Sequence, residues 1–369
     1  MGKIDELIQQ YCPDGVGYVQ LGEVCEVLTG GEAPDNAIKG KEPIGDCKYP
    51  IYSNGIGENA LWGYAPTFRI SKTSITFSSI GTIGFPTIRE CCYTPIIRLK
   101  VIYPKDDTVL NVYFLKYVLE IVEFEKQKSS VPNINANMIK SISIPLPPLP
   151  VQEAIVNILD RFAVYAAELQ AELQARQQQY NYYRDTLLSF EGREDVEWKK
   201  LGEVGSISSG KNKQKKKEGA YPVYGSTGII AYCDEFKYDK SLILVARVGA
   251  NAGFTHIASG QYDVSDNTLI VDLDNKDVLQ KYIFYILVNI NLNRYAKGGG
   301  QPLITAGEIK EITSPVPSLS EQQRIVDILD RFDTLVNDLS QGLPAEIEAR
   351  QQQYEYYRDQ LLTFKRKEA

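Results

Sequence analysis

His256 is the single histidine among 369 residues. A Ser-His-Asp triad or a multi-histidine metal site would have to use that one side chain, so a structural role is expected for it. Cysteines stand at 12, 25, 47, 91, 92 and 233, with no C-x-x-C spacing. Thiols so scattered supply neither a disulfide framework nor a structural zinc site. The adjacent Cys91 and Cys92 read as strand residues rather than a redox pair. Gly205-Ser206-Ile207-Ser208-Ser209-Gly210-Lys211-Asn212 has the G-x-x-x-x-G-K spacing of a phosphate loop. It ends in Asn where a Ser or Thr hydroxyl must reach magnesium, and the lysines after it offer no apolar face for the required helix. Gly55, Gly57 and Ala60 have dinucleotide-loop spacing, but Leu61-Trp62-Gly63-Tyr64-Ala65-Pro66 follows and does not start a helix. Neither N-P-P-[FYW] nor D-P-P-[FYW], the usual amino-methyltransferase motif, occurs. No nucleophile, metal or cofactor constellation is left, so no metal and no cofactor is expected in this chain.

What remains is charge on loops. The net charge is −7 and the pI about 5.1, which taken whole argues against a polyanion partner. The charge is uneven, however: residues 197–314 hold 15 basic against 13 acidic residues, and residues 1–145 hold 14 against 16. Phosphate responds to the local field and not to the total. Lys211, Lys213, Lys215, Lys216 and Lys217 form a basic loop, and Arg247, Arg294 and Lys297 stand in or beside later glycine-bearing loops. The first half has a sparser set in Lys39, Lys41, Arg69, Lys126 and Lys128. These thirteen residues are the candidate DNA contacts, with Lys and Arg for phosphates and loop-tip Arg, Asn, Gln and Ser/Thr for bases.

The elements that must carry these loops occur twice. Ile158-Leu159-Asp160-Arg161-Phe162 returns as Ile328-Leu329-Asp330-Arg331-Phe332, and Arg176-Gln177-Gln178-Gln179-Tyr180 returns as Arg350-Gln351-Gln352-Gln353-Tyr354. Leu21-Gly22-Glu23-Val24 returns as Leu201-Gly202-Glu203-Val204, and Tyr49-Pro50-Ile51-Tyr52 is echoed by Tyr221-Pro222-Val223-Tyr224. Asp5-Glu6-Leu7-Ile8 resembles Asp185-Thr186-Leu187-Leu188, which would complete the pattern in a pseudo-cyclic way. Ile155, Leu159, Phe162, Ala166, Leu169, Leu173, Arg176, Tyr180, Tyr183 and Leu187 step by four and three without Gly or Pro. That heptad seam predicts a helix from about 152 to 190. The second copy begins alike at Ile325, Leu329, Phe332, Val336 and Leu339. Gly342 and Pro344 then interrupt it, with four extra residues before Arg350. Four residues make a stutter, which moves a seam without destroying it. Between these segments the chain reads as mostly β, with strands at 74–77 and 241–245, helices near 111–124 and 278–290, and proline clusters closing each part. The longest apolar run, Ile283 to Val288, is far short of the ~20 residues a spanning helix needs. Met1 to Glu6 shows no apolar leader.

The doubled pattern of a proline-rich end, a Gln/Glu pair and a helix with Leu-Asp-Arg-Phe resembles the specificity subunits of type I restriction–modification systems. Pro145 to Phe162, Pro317 to Phe332 and Arg350 to Asp359 carry that resemblance most specifically. It implies an α+β fold of two mostly-β target recognition domains with some helix, separated by two long antiparallel coiled-coil helices in a pseudo-two-fold internal repeat. The boundaries are 1–148, 149–196 for the first (spacer) helix, 197–317, and 318–369 for the second helix. The implied function is non-catalytic: each domain reads one half of a bipartite, asymmetric site in double-stranded DNA. The helices set the spacer and dock two modification subunits, which bring S-adenosylmethionine and methylate adenine. Restriction subunits, with ATP and Mg, join that core in the cytoplasm, with no membrane involved. Tyr182, Arg184, Tyr356 and Arg358 lie off the heptad seam and are the candidate partner-facing residues. Ala167-Glu168-Leu169-Gln170 is followed by Ala171-Glu172-Leu173-Gln174, a tandem repeat whose copy number, the resemblance implies, sets the distance between the half-sites. The alternative is a coiled-coil scaffold whose β domains bind protein or glycan.

Overall fold

The computed structural model describes residues 2–78, 85–122, 134–213, 216–298, 302–338 and 340–367. The chain divides into two compact units, Met1–Glu168 with Ile347–Ala369, and Leu169–Glu346.

The first unit runs α1 (Gly2–Tyr11), β1 (Tyr18–Gln20), α2 (Leu21–Val24), β2 (Cys25–Thr29), β3 (Ile38–Lys39), β4 (Tyr49–Tyr52), β5 (Leu61–Ala65), β6 (Ser74–Phe77), β7 (Thr87–Arg89), β8 (Thr94–Pro95), β9 (Lys100–Pro104), α3 (Val112–Ile121), α4 (Ala136–Lys140) and β10 (Ser143–Pro145). Helix α5 (Leu149–Leu187) carries the chain into the second unit. There follow β11 (Glu197–Lys200), α6 (Leu201–Val204), β12 (Gly205–Ser209), β13 (Tyr221–Gly225), β14 (Gly228–Cys233), β15 (Tyr238–Asp239), β16 (Leu242–Ala246), β17 (Thr255–Ala258), β18 (Gln261–Val264), β19 (Thr268–Leu273), α7 (Gln280–Ile290), α8 (Ala306–Lys310), β20 (Thr313–Val316) and α9 (Leu319–Asn337). Helix α10 (Leu343–Leu362) returns the chain to the first unit.

Each unit is built on the same plan. An antiparallel sheet, β2-β9-β6-β7 or β12-β19-β16-β17, packs one face on helices. Its other face meets a second sheet, β3-β5-β4-β8 or β14-β13-β18-β15. In both second sheets one pairing is parallel, β4 with β8 and β13 with β18. The sequence echo at Tyr49 and Tyr221 is therefore an echo of place, and both hairpins even slip register at the same step, Ile51/Tyr52 and Val223/Tyr224. The helix-side core of the first unit gathers Ile75, Ile102, Phe114, Leu115, Ile155 and Leu159; that of the second gathers Ile243, Val271, Ile283, Tyr282, Ile325 and Leu329. Each apolar row alternates along its strands, as a strand with two different faces requires.

The long helix begins after Pro147-Pro148, with Pro150 in the first turn where its missing N–H costs nothing. Along the first unit's part of the coil, Tyr165 meets Arg350 and Phe162 meets Tyr354 and Tyr357, so α5 and α10 run antiparallel there. The break between α9 and α10 is a close approach of backbone: a Cβ on Gly342 would stand 2.5 Å from the Thr334 carbonyl and 2.8 Å from that of Asp338. Only glycine fits against those helix-end carbonyls, and its N–H donates to Asp338 O at 3.0 Å. Leu339, the last seam residue of the second copy, lies outside the described residues.

The first unit is closed by both ends of the chain. Val16 bridges Arg366, donating to Lys365 O at 2.8 Å and accepting from Lys367 N at 3.0 Å. Leu361, Leu362 and Phe364 share a core with Cys12 and Val16. In the second unit Leu188, Phe190 and Val196 do the same work on continuous chain. Two smaller readings need revision. Cys91 and Cys92 lie in a turn, not a strand, with Cys92 at φ 73°. The G-x-x-x-x-G-K segment is strand β12 (Gly205–Ser209) followed by Gly210, where a Cβ would stand 2.1 Å from Ser265 O. No helix follows it, and Gly57–Ala60 is a single 3₁₀ turn leading into β5.

Candidate nucleic-acid interface

Two hydrogen-bonded knots fasten each sheet domain to its long helix, and they explain the repeated polar letters. Gln152 is fully buried; its amide donates to Pro147 O (2.7 Å) and Val109 O (2.9 Å) and its carbonyl accepts from Asn111 N (2.8 Å). Gln322 repeats the pattern with Pro317 O (2.8 Å), Asp277 O (2.9 Å) and Leu279 N (2.8 Å). The Asp of each Leu-Asp-Arg-Phe accepts from a domain tyrosine: Tyr117 to Asp160 at 2.6 Å, Tyr285 to Asp330 at 2.5 Å. Burial first, and then that carboxylate, pushes both phenols far above their ordinary range, so they remain donors at any physiological pH. Groups so fully satisfied are costly to disturb. They hold the domain at a fixed angle on the start of its helix.

In the second unit the loops at one end of the two sheets are laced together. Val264 O accepts from Lys211 N (3.1 Å) and Asn212 N (3.0 Å), and Asn212 O accepts from Asp266 N (3.2 Å). Asn267 O accepts from Arg247 N (2.9 Å) and from the Ser226 hydroxyl (3.3 Å), while Arg247 O accepts from Ile304 N (2.9 Å). Lys297 and Leu303 exchange two backbone bonds, and Gly249 N donates to Pro302 O at 2.9 Å. Lys211, Arg247 and Lys297 are thus brought to one rim, with exposed Lys213 two residues beyond Lys211. Arg247 is half-buried, and its Nε is buried without an acceptor among the described residues. Lys297 meets Glu308 at 2.7 Å, and this bond, with the Thr305 cap, holds the Glu308 carboxyl below its usual range. Arg294 lies over the Tyr295 ring at 5.1 Å. The basic run does not stay together. Lys216 O accepts from Tyr232 N and its ammonium pairs with Asp234 at 2.8 Å, at the far end of β14 from the rim. Lys217 is exposed beside it, and Lys215 lies outside the described residues.

In the first unit the matching turn is Ile96 to Leu99. Ile96 N donates to Tyr52 O (2.8 Å), Ile97 N to Gly31 O (2.8 Å), Arg98 N to Gly30 O (3.1 Å) and Gly30 N to Leu99 O (2.7 Å). Ile97 (φ 50°) and Arg98 (φ 60°) both sit in the left-handed region, a strained choice for such side chains. Asn54 holds the turn by donating to Ile97 O at 2.5 Å. Arg69 is exposed beside it, near enough that a Cβ on Gly31 would meet its guanidinium at 2.9 Å. Lys39 is exposed on the edge strand β3, and Lys41 follows, its carbonyl accepting from the Tyr64 hydroxyl. Lys126 and Lys128 lie outside the described residues.

On the helices, Tyr180 and Tyr183 pack on Phe332, and Tyr354 and Tyr357 pack on Phe162. Tyr180 is buried in that seam and Tyr354 and Tyr357 are half-buried, while Tyr183 keeps 39% of its surface exposed. Tyr182 and Tyr356 are 67% and 58% exposed. Arg184 and Arg358 are about four-fifths covered, lying over Tyr180 and Tyr354 and paired with Asp185 and Asp359 at 2.8 Å. Arg184 also donates to Asn289 at 2.9 Å. Among the described residues no group of three His, Cys, Asp or Glu could hold a metal ion, and no helix is long and apolar enough to cross a membrane.

The family model for the type I restriction modification DNA specificity domain matches residues 13–176 and again 193–349. The chain belongs to that family. Among its relatives is the specificity subunit of the Escherichia coli EcoR124I/EcoR124II type I restriction enzyme, 35% identical over 311 residues that cover 73% of this chain and 75% of the relative. The solved S subunit of the type I restriction–modification system from M. genitalium shares the fold, at a TM-score of 0.67 and 16% identity, covering 94% of this chain and 96% of that one. A chain from a structure described by the complex assembly and conformational transition of the type I R-M system gives 0.62 and 15%, covering 94% and 97%. A type I specificity subunit with two repeated recognition domains accounts for both halves of the sequence. The scaffold alternative, with protein or glycan as target, has no support.

Within this type I specificity subunit, sequence reasoning passed over the turn at Ile97 and Arg98 and the buried Lys100 beside it. Nothing in the letters marks two bulky residues at positive φ. The run from Lys100 to Tyr103 did carry a signal, a charge at a position whose strand neighbours are apolar.

Proposed function

We propose that each unit reads one half of a bipartite site in double-stranded DNA with its laced loop rim, and that the chain contributes no catalysis of its own. In this reading Lys211, Lys213, Arg247 and Lys297 in the second unit, and Lys39, Lys41 and Arg69 in the first, meet DNA. The exposed tyrosine edges of the helices take two modification subunits, which carry S-adenosylmethionine and methylate adenine. Restriction subunits using ATP and Mg join them, in the cytoplasm.

One observation carries this reading. The Gln and Tyr–Asp knots are the same in both units, while the rims they hold differ: Ile96-Ile97-Arg98-Leu99 in one, Ser265-Asp266-Asn267-Thr268 in the other. A shared partner on the helices and two different targets at the rims need that combination. Modified adenines mapped genome-wide, in cells with and without this chain and its modification subunit, test it. The expected result is one split motif that vanishes without the chain. An unchanged methylation map would reject the reading.

A further inference from the structure

The sparse charge of the first unit leaves its hold on DNA unexplained, and the sheet interior supplies what the surface lacks. Lys100 opens β9 and is only 6% exposed. Among the described residues its ammonium makes one bond, to the Thr29 hydroxyl at 2.9 Å. No carboxylate among the described residues pairs with it, and the charge that acts on it is another cation, Arg98. Burial and Arg98 both push its pKa down, because each disfavours the protonated form.

A buried cation without a counter-ion destabilises a fold unless something outside it supplies the anion. The second unit shows that the fold does not need a charge here. Thr29, Lys100 and Phe77 form one cross-strand row, and the equivalent row is Ser209, Leu269 and Val245. Leu269 is fully buried in the apolar core. Lys100 is therefore a departure specific to the first unit. Its place is at the rim: Leu99, next to it, holds Gly30 through its carbonyl, and exposed Arg98, in the strained turn just before, donates its backbone N–H to Gly30 O. Thr29, to which the ammonium points, is exposed on the edge strand β2. Strain of this kind, held by Asn54, marks a site whose geometry is kept for contact rather than for stability.

We propose that Lys100, with Arg98 beside it and Thr29 at its mouth, is a preformed site for a backbone phosphodiester of the DNA bound by the first unit. The proposal rests on the DNA reading above. A phosphate there would give Lys100 its missing counter-charge and use its two idle N–H donors, at little further ordering cost because the side chain is already fixed.

The test uses the complex reconstituted with its modification subunits and a duplex bearing the mapped motif. In Lys100→Gln the residue keeps a donor for Thr29 and loses the charge. Binding should weaken about tenfold at 50 mM salt, and the slope of log K against log salt should fall by about 0.9. The methylated motif should stay the same, since a phosphate contact carries no sequence information. Lys100→Met should show the same slope and raise the melting temperature, because an apolar side chain suits the position as Leu269 does. If Lys100 served only the fold, Lys100→Met would melt lower and Lys100→Gln would bind with the wild-type slope, and that result overturns the proposal. Failure of the wild-type complex to bind the duplex would instead reject the DNA reading, and this site with it.

Discussion

His256 packs beside the rings of Phe254 and Tyr224, at 5.8 and 5.9 Å, with both ring nitrogens buried and without a hydrogen-bond partner among the described residues. Burial lowers its pKa below the ordinary 6.5. The unfolded chain therefore takes a proton at 6.5 that the folded second unit resists. Stability is complete above that pH and falls as pH drops towards the folded value, by at most a factor of ten in the unfolding constant per pH unit. His256→Leu should remove this slope between pH 6.5 and 5, whatever it does to the level. Denaturant midpoints across that range are the measurement, and an equal slope in both proteins would place the acid sensitivity elsewhere. The rim lysines make a different kind of prediction. Lys211→Ala with Lys213→Ala should weaken DNA binding across sequences and reduce the salt slope by about 0.9 for each phosphate lost. A titration of the reconstituted complex giving the wild-type slope would put that loop off the DNA. At this scale the sequence was legible in part: Lys211, Arg247 and Lys297, singled out as loop cations, stand on loops that backbone bonds bring to one rim. It could not show that Lys216 turns away to Asp234 while Lys211 stays at the rim. Adjacent letters separate because their backbone partners, Val264 for Lys211 and Tyr232 for Lys216, lie on different strands that come together only on folding.

The elements were more legible than the residues, because periodicity is a property of many side chains at once. The heptad seam predicted a helix from about 152 to 190, and α5 spans Leu149–Leu187. Helices expected near 111–124 and 278–290 are Val112–Ile121 and Gln280–Ile290. The parallel pairing of β4 with β8 was not legible, since it joins short strands far apart in the chain whose neighbours are set by tertiary packing. Seam position also sorts the tyrosines. Those on the heptad contact Phe162 and Phe332, while the rings of the exposed Tyr182 and Tyr356 meet the next rings, Tyr183 and Tyr357, edge-on at about 5.6 Å. Two large aromatics left outward at equivalent places are suited to anchor a partner. Tyr182→Ala with Tyr356→Ala should release the modification subunits. Exposed positions tolerate such changes within roughly 0.5 kcal/mol, so the melting temperature of the isolated chain should hold. Co-purification of the variant as a full complex would show that docking lies on another face.

At the scale of the whole molecule, α5 is an unbroken helix of 39 residues that leads from one unit into the other. Its midpoint carries the tandem Ala-Glu-Leu-Gln, with the division between the units falling inside the first copy, after Glu168. These are strong helix formers, and that alone would explain them. A second consequence follows from helix geometry. One four-residue copy is about 6 Å of rise and slightly more than one turn, and one base pair is about 3.4 Å. Removing a copy thus shortens the covalent path between the units by the height of one to two base pairs, before packing adjusts. The seam can absorb the change, as the second copy already absorbs four extra residues around Gly342 by ending α9 and restarting at Leu343, with Pro344 in the first turn of α10. Both knots lie outside the deleted stretch, so each rim should keep its hold on its own half-site. Deleting residues 171–174 is expected to leave both half-sites unchanged and to shorten the unread gap between them by about one base pair. Mapping of modified adenines in cells carrying the deletion reads the outcome directly. The same gap at full activity would mean that some other part of the molecule sets the distance.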